Sequence, residues 1–212
     1  MRIIAGTYRS RRLEAPPGLS TRPTSDRLRE TLFNVLAPRI KGADGGAAFL
    51  DLYAGSGAVG LEALSRGAAK VTFVERAPAA LKVLRRNLEQ LGVASGYEVR
   101  AESVAAFLRS ATKTTPRPGP HEVAKPRRYE VVFLDPPYDA IEEYAAALGL
   151  LGAAQGNLAP GALVVAEHRR KRTLEEQYGC LKRTRLLEQG DAALSFYEAG
   201  SALPDRAPEG IP

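Results

Sequence analysis

The hexapeptide Gly55-Ser56-Gly57-Ala58-Val59-Gly60 constrains this chain more than any other feature, because it stands between an apolar run and a helical pattern. Ala48-Phe49-Leu50-Asp51-Leu52 reads as a short buried strand, and Ala58 to Arg66 as the helix after it. In that context the glycines satisfy G-x-G-x-x-G and bring backbone close to a ligand at the carboxyl end of the strand. The pyrophosphate of a dinucleotide and the ribose and amino-acid tail of an adenosyl cofactor fit such a turn equally well.

The alternation then repeats. Lys70 to Glu75, Tyr97 to Ala101, Tyr129 to Leu134 and Gly161 to Glu167 read as strands, and the segments between them as helices: Ala79 to Leu91, Val104 to Leu108 and Ile141 to Leu151. Strands separated by helices imply right-handed crossovers, hence an α/β, doubly wound, mostly parallel Rossmann-like sheet. Leu181 to Leu187 and Ala192 to Glu198, joined at Gly190-Asp191, predict an antiparallel hairpin at the sheet's edge and bring the expected count to seven strands.

Before this sheet lie a short hairpin or arm in residues 1–20 and one helix. Thr24 or Ser25 can cap the helix, Leu28, Leu32, Val35 and Leu36 share a face, and Pro38 is expected to end it. Three parts follow from this reading: a basic hairpin and helix at 1–41, a sheet domain at 47–199 with a Pro-rich basic loop at 111–128, and a flexible tail at 200–212.

Charge divides along the same line. Residues 1–41 hold nine Arg or Lys against three acids, and the remaining 171 residues balance at 21 and 21, so the first segment carries the whole net charge of +6. A concentrated positive field suits a surface that meets a polyanion. The 44% apolar content fits a soluble globular protein, and no run reaches the length of a membrane span. With no signal-peptide pattern at the start, a cytoplasmic protein is expected. One cysteine and two histidines supply neither a disulfide nor a zinc-ligand cluster, so no metal is expected. Nothing in the pattern calls for an oligomer, and a monomer is expected.

The site residues follow from the sheet. Glu75 ends the second strand 24 residues after Asp51, where an acid accepts ribose hydroxyls in such folds. Asp135-Pro136-Pro137-Tyr138 follows a buried strand and faces the glycine turn across the switch point. Successive prolines forbid helix there and hold the Asp135 carboxylate and the Pro136 carbonyl as fixed acceptors. Acceptors in that array grip an exocyclic amine, and Tyr138 offers a face on which an extruded base can stack. A nicotinamide-dependent oxidoreductase would have no use for the tetrapeptide.

Leu50 to Gly60 and Asp135 to Tyr138 resemble motifs I and IV of class I methyltransferases that use S-adenosyl-L-methionine. Several blocks are similar to a narrower family: Arg2 to Gly6, Arg22 to Glu30 with Leu32-Phe33-Asn34, Asp51 to Gly57, Leu61 to Ala68, and Asp135 to Tyr138. Together they resemble the bacterial small-subunit rRNA guanine-N2 methyltransferase family known as RsmD. The resemblance implies that 47–199 is a methyltransferase domain that yields S-adenosyl-L-homocysteine, and that 16S rRNA, free or in a subunit or assembly intermediate, is the substrate. By the same resemblance Asp135, Pro136 and Tyr138 are catalytic, and Asp51, Tyr53, Gly55, Ser56, Gly57, Glu75, Glu102 and Ser103 hold the cofactor. Ser103 could equally cap the next helix. Arg9, Arg11, Arg12, Arg22 and Arg27 would meet rRNA phosphates, with 1–41 as an RNA-binding arm or a lid. A nucleobase adenine-N6 methyltransferase, acting on DNA or RNA, and an idle rRNA-binding assembly factor are the alternatives. Glu167-His168 follows the fifth strand, within reach of the site, but a histidine there is more often a satisfied loop residue than a base, and no role is assigned.

Overall fold

Runs such as Val71-Thr72-Phe73-Val74 and Val131-Val132-Phe133-Leu134 are apolar on both faces, so the sheet they build must be covered on both sides. The computed structural model describes residues 1–15, 26–41, 45–113, 128–137, 140–153 and 157–200. Its elements are α1 (Asp26–Ile40), β1 (Ala48–Leu52), α2 (Ala58–Ser65), β2 (Lys70–Val74), α3 (Pro78–Leu91), β3 (Tyr97–Arg100), α4 (Val104–Lys113), β4 (Tyr129–Leu134), α5 (Ile141–Ala153), β5 (Leu158–Arg169), β6 (Gln177–Tyr178), β7 (Leu181–Gln189) and β8 (Ala192–Ala199).

The strands lie in the order β3-β2-β1-β4-β5-β8-β7-β6. β1 to β5 run parallel, and β8, β7 and β6 are antiparallel. The chain lays β2 and β3 on one side of β1 and then crosses to place β4 on the other, so a crevice opens at the carboxyl ends of β1 and β4. One core packs α1, α2 and α3 against Phe49, Phe73, Phe133 and Val165. The other packs α4 and α5 against Leu50, Val74, Leu134 and Val164.

Four expectations change. Among the described residues the sheet has eight strands where seven were expected, the eighth being β6, whose two residues are too short to show any period. α1 continues through Pro38 to Ile40: a proline in the last turn removes one hydrogen bond, and the fully buried Ile40 holds the end in place. β5 begins at Leu158, three residues early, with a register shift opposite Tyr129. α4 runs to Lys113, so the first three residues of the expected 111–128 loop are helical. The expected caps Thr24 and Ser25, residues 114–127 and residues 201–212 lie outside the described residues. The hairpin turn falls at Gly190-Asp191, between the paired Gln189 and Ala192.

The N-terminal arm is a narrow hairpin in which Arg2 bridges Arg12 and the Ile3 amide donates to the Arg11 carbonyl at 2.9 Å. It docks on α2. The Glu62 carboxylate, fully buried, accepts the amides of Ile4 at 2.7 Å and Ala5 at 3.0 Å and the Arg66 Nε at 2.6 Å. Ser65 Oγ accepts the Tyr8 amide at 2.9 Å. A buried carboxylate with three donors is satisfied, and removing any of them would leave it costly.

Candidate active site

Two acids shape the glycine turn. The Gly60 amide donates to Asp51 Oδ2 at 2.9 Å, tying the first turn of α2 to the last residues of β1. Glu75, just past β2, accepts the Gly55 amide on Oε2 at 2.9 Å and the Arg76 and Ala77 amides on Oε1 at 2.8 and 2.7 Å. A carboxylate offers about four acceptor positions. Among the described residues three are taken by backbone, which leaves a position on Oε2 beside Gly55. Burial pushes the Asp51 carboxyl up to about 8, opposed by the Gly60 amide and reinforced by the charge of Glu75.

The turn requires glycine at two positions. Gly57 has φ +79°, and a Cβ there would collide with Leu84. At Gly60 a Cβ would strike Phe73 and crowd Asp51 Oδ2, so its absence lets α2 lie close on the sheet. Tyr53 is the strained residue, at φ +61° without being glycine. Its hydroxyl donates to Glu143 Oε2 on α5 at 2.7 Å, and burial and that carboxylate push its ionisation above the ordinary tyrosine value.

Across the crevice Asp135 follows β4 and is half-buried, with Pro136 buried behind it. Asp135 shares a face with Phe133, the side covered by α1. The last registered pair is Leu134 with Ala166, which sets Asp135 beside Glu167. Glu167 is 2% exposed. Burial first, then Glu167 and Asp51, hold the Asp135 carboxyl well above the usual range. Such a carboxyl is stabilised by a donor-rich group brought beside it.

The remaining candidates divide. Ser56 presents its carbonyl to Asn87 Nδ2 at 2.9 Å. Glu102 pairs with Arg100 at 2.6 Å, and Ser103 Oγ accepts the Ala106 amide at 3.2 Å, which makes it the cap of α4. Arg9, Arg11, Arg12 and Arg27 are exposed, and Arg11 Nη2 donates to the Gln90 carbonyl at 2.7 Å. Tyr138 and Arg22 lie outside the described residues. His168 is buried, with Nε2 2.9 Å from Ser195 Oγ, and burial lowers its pKa. Among the described residues no three His, Cys, Asp or Glu side chains gather as a metal site, and no helix is long and apolar enough to cross a membrane.

Glu143, Asn87 and Arg29 escaped the sequence reading as members or supports of the site, and Glu167, which that reading places near the site, has no role in it. Arg29 counts toward the basic segment yet is fully buried, so it adds nothing to the exposed field. Its Nη2 donates to the Arg2 carbonyl and to Asp26 Oδ1, both at 2.7 Å, while Nε and Nη1 have no hydrogen-bond partner among the described residues. The adjacent Leu28 was a warning, since a helix buried on a wide stripe also buries neighbours of its apolar positions.

Known proteins are similar to this chain over most of its length. YlbH of Bacillus subtilis is 35% identical over 198 residues, 93% of this chain and 98% of that protein. Ribosomal RNA small subunit methyltransferase D of Escherichia coli is 43% identical over 138 residues, 65% of this chain and 60% of that enzyme. The solved structure of yhhF from Escherichia coli has a TM-score of 0.75 at 34% identity, covering 94% of this chain and 98% of that one. The family model described as Conserved hypothetical protein 95 matches residues 1–198, and the chain accordingly belongs to that family, the RsmD-like methyltransferases.

Proposed function

We propose that this protein transfers a methyl group from S-adenosyl-L-methionine to the exocyclic N2 amine of a guanine in small-subunit 16S rRNA. The observation that carries the reading is the position of Asp135 and Pro136 at the end of β4, facing the glycine turn across the β1/β4 crevice. Relatives named ribosomal RNA small subunit methyltransferase D support the substrate class.

The cofactor supplies an electrophilic sulfonium methyl. The chain fits it: Glu75 Oε2 has an acceptor position for a ribose hydroxyl, Gly55 and Gly57 let backbone approach, and Asp51 fixes the turn from below. Tyr53, Ser56, Glu102 and Ser103 border the same pocket in this reading, with Ser103 also capping α4. Asp135 and the Pro136 carbonyl accept the two amine hydrogens and turn the nitrogen lone pair toward the methyl. A nitrogen–carbon bond forms as the carbon–sulfur bond breaks, and the nitrogen then sheds a proton. The raised Asp135 carboxyl suits it to receive that proton. Guanine's N1–H, beside its amine, offers a second donor to the same carboxylate. Tyr138 provides the stacking surface for the extruded base. Positioning two bound reactants supplies up to about 7–11 kcal/mol of the acceleration.

Arg9, Arg11, Arg12, Arg22 and Arg27 take rRNA phosphates and set the approach of the RNA. The enzyme acts as a cytoplasmic monomer on rRNA, free or within a subunit. The test is transfer of radiolabelled methyl to small ribosomal subunits lacking the modification, with the product nucleoside identified. N2-methylguanosine is expected. Methylated adenine would keep the site and discard the guanine assignment, and RNA binding without transfer would leave an assembly factor.

A further inference from the structure

Asn87, in the middle of α3, is fully buried and bonds through both edges of its amide. Oδ1 accepts the Glu14 amide at 2.8 Å, and Nδ2 donates to the Glu14 carbonyl at 3.2 Å and to the Ser56 carbonyl at 2.9 Å. One side chain thus grips the backbone of the N-terminal arm with one edge and the glycine turn with the other. Glu75 holds that turn at Gly55 from β2. Asn87 holds it at Ser56 from α3, and Asn87 also touches the arm.

Two exposed cations, Arg11 and Arg12, stand three and two residues before Glu14, and Arg11 is itself bonded to α3 through the Gln90 carbonyl. Lys82, Arg85 and Arg86 are exposed along the same helix, with Arg86 3.6 Å from the Glu14 carboxylate. A polyanion drawn to these cations bears on the arm next to its contact with Asn87. The third Asn87 bond ends on the peptide between Ser56 and Gly57, whose position decides how closely backbone approaches the cofactor.

We propose that Asn87 is a positioning residue that couples RNA held by the arm to cofactor held by the glycine turn. The inference rests on the methyltransferase reading above. Coupling of this kind is reciprocal, so RNA raises cofactor affinity by the factor by which cofactor raises RNA affinity.

The experiment is equilibrium dialysis of radiolabelled S-adenosyl-L-homocysteine, with and without saturating unmethylated small subunits. Proteins compared are the unaltered chain, Asn87→Ala, Glu14→Pro and Glu14→Ala. Glu14→Pro removes the amide that donates to Asn87 at an exposed position, and Glu14→Ala removes only the side chain. Subunits are expected to tighten cofactor binding by about fivefold or more in the unaltered chain and in Glu14→Ala. That gain disappears in Glu14→Pro and Asn87→Ala, a change that loss of stability alone would not produce in protein still binding subunits. Should Asn87→Ala not fold, Glu14→Pro decides. A full gain in Glu14→Pro, or no gain in the unaltered chain, overturns the coupling and leaves the cofactor reading standing. No binding by the unaltered chain overturns both.

Discussion

The two sides of the β1/β4 crevice differ in what holds their carboxylates. On the β2 side Glu75 receives three backbone amides and Asp51 receives one, so these acids are braced before any ligand arrives. On the β4 side burial and neighbouring acids act on Asp135, and both raise its proton affinity. A braced side holds a ligand in one pose. A side that sets one buried acid beside another favours a ligand rich in N–H donors.

The largest way to test the contrast is Asp135→Ala. Methyl transfer should fall by about a hundredfold or more as the amine loses its orientation, while S-adenosyl-L-homocysteine binding measured by calorimetry stays near that of the unaltered protein. Retention of most activity would remove Asp135 from the chemistry.

Asp51→Asn probes the braced side through stability. The carboxyl has its pKa raised to about 8 in the folded chain against an ordinary value of 3.8, so between those limits the folded state binds the extra proton. The resulting stabilisation is complete at the acidic limit and declines as pH rises toward 8, by at most about 1.4 kcal/mol per pH unit from this group. Asparagine cannot ionise, and it keeps an oxygen for the Gly60 amide. Urea unfolding from pH 5 to 9 should therefore give a flatter dependence for the variant; an unchanged slope would mean the carboxyl is ionised throughout.

Glu167→Gln weakens the crowding on the other side. In the proposed reaction Asp135 works as a carboxylate, so transfer should rise with pH through its pKa, and neutralising its neighbour should move that rising limb to lower pH. A limb that stays where it was in the pH profile of kcat would show that Glu167 and Asp135 do not sense one another.

The smallest effect is expected on the arm. Arg12→Ala should leave transfer at saturating subunits unchanged and reduce the salt slope of RNA binding by about one. Identical slopes would place the RNA elsewhere.

What could be read in advance tracks how local each signal is. The glycine turn, Glu75, the Asp135 tetrapeptide and the Gly190-Asp191 hairpin each occupy a few consecutive residues whose conformational demands show in their identities. Glu167 takes its meaning from Asp135, 32 positions earlier, and Asn87 from Glu14 and Ser56, 73 and 31 positions earlier. At 167 the sequence shows a place at the end of the fifth strand but not the neighbouring acid, and nothing at 87 announces its partners, because a solvated asparagine or glutamate looks the same in sequence. Arg29 misled in the other direction: its charge argued for solvent, and packing of α1 on the arm enclosed it. Strand β6 carries too few residues for any periodicity to appear.

The docking of the arm on α2 has a consequence for how the protein is made. Ile4 and Ala5 leave the ribosome long before Glu62, which stands 58 and 57 positions later, so the first segment synthesised waits without its seat while β1 and the glycine turn are built. Contacts of such sequence separation form late, after local helices and turns have closed. The arm therefore settles as α2 becomes available, and its cations reach their final places only in a chain that already possesses the cofactor turn.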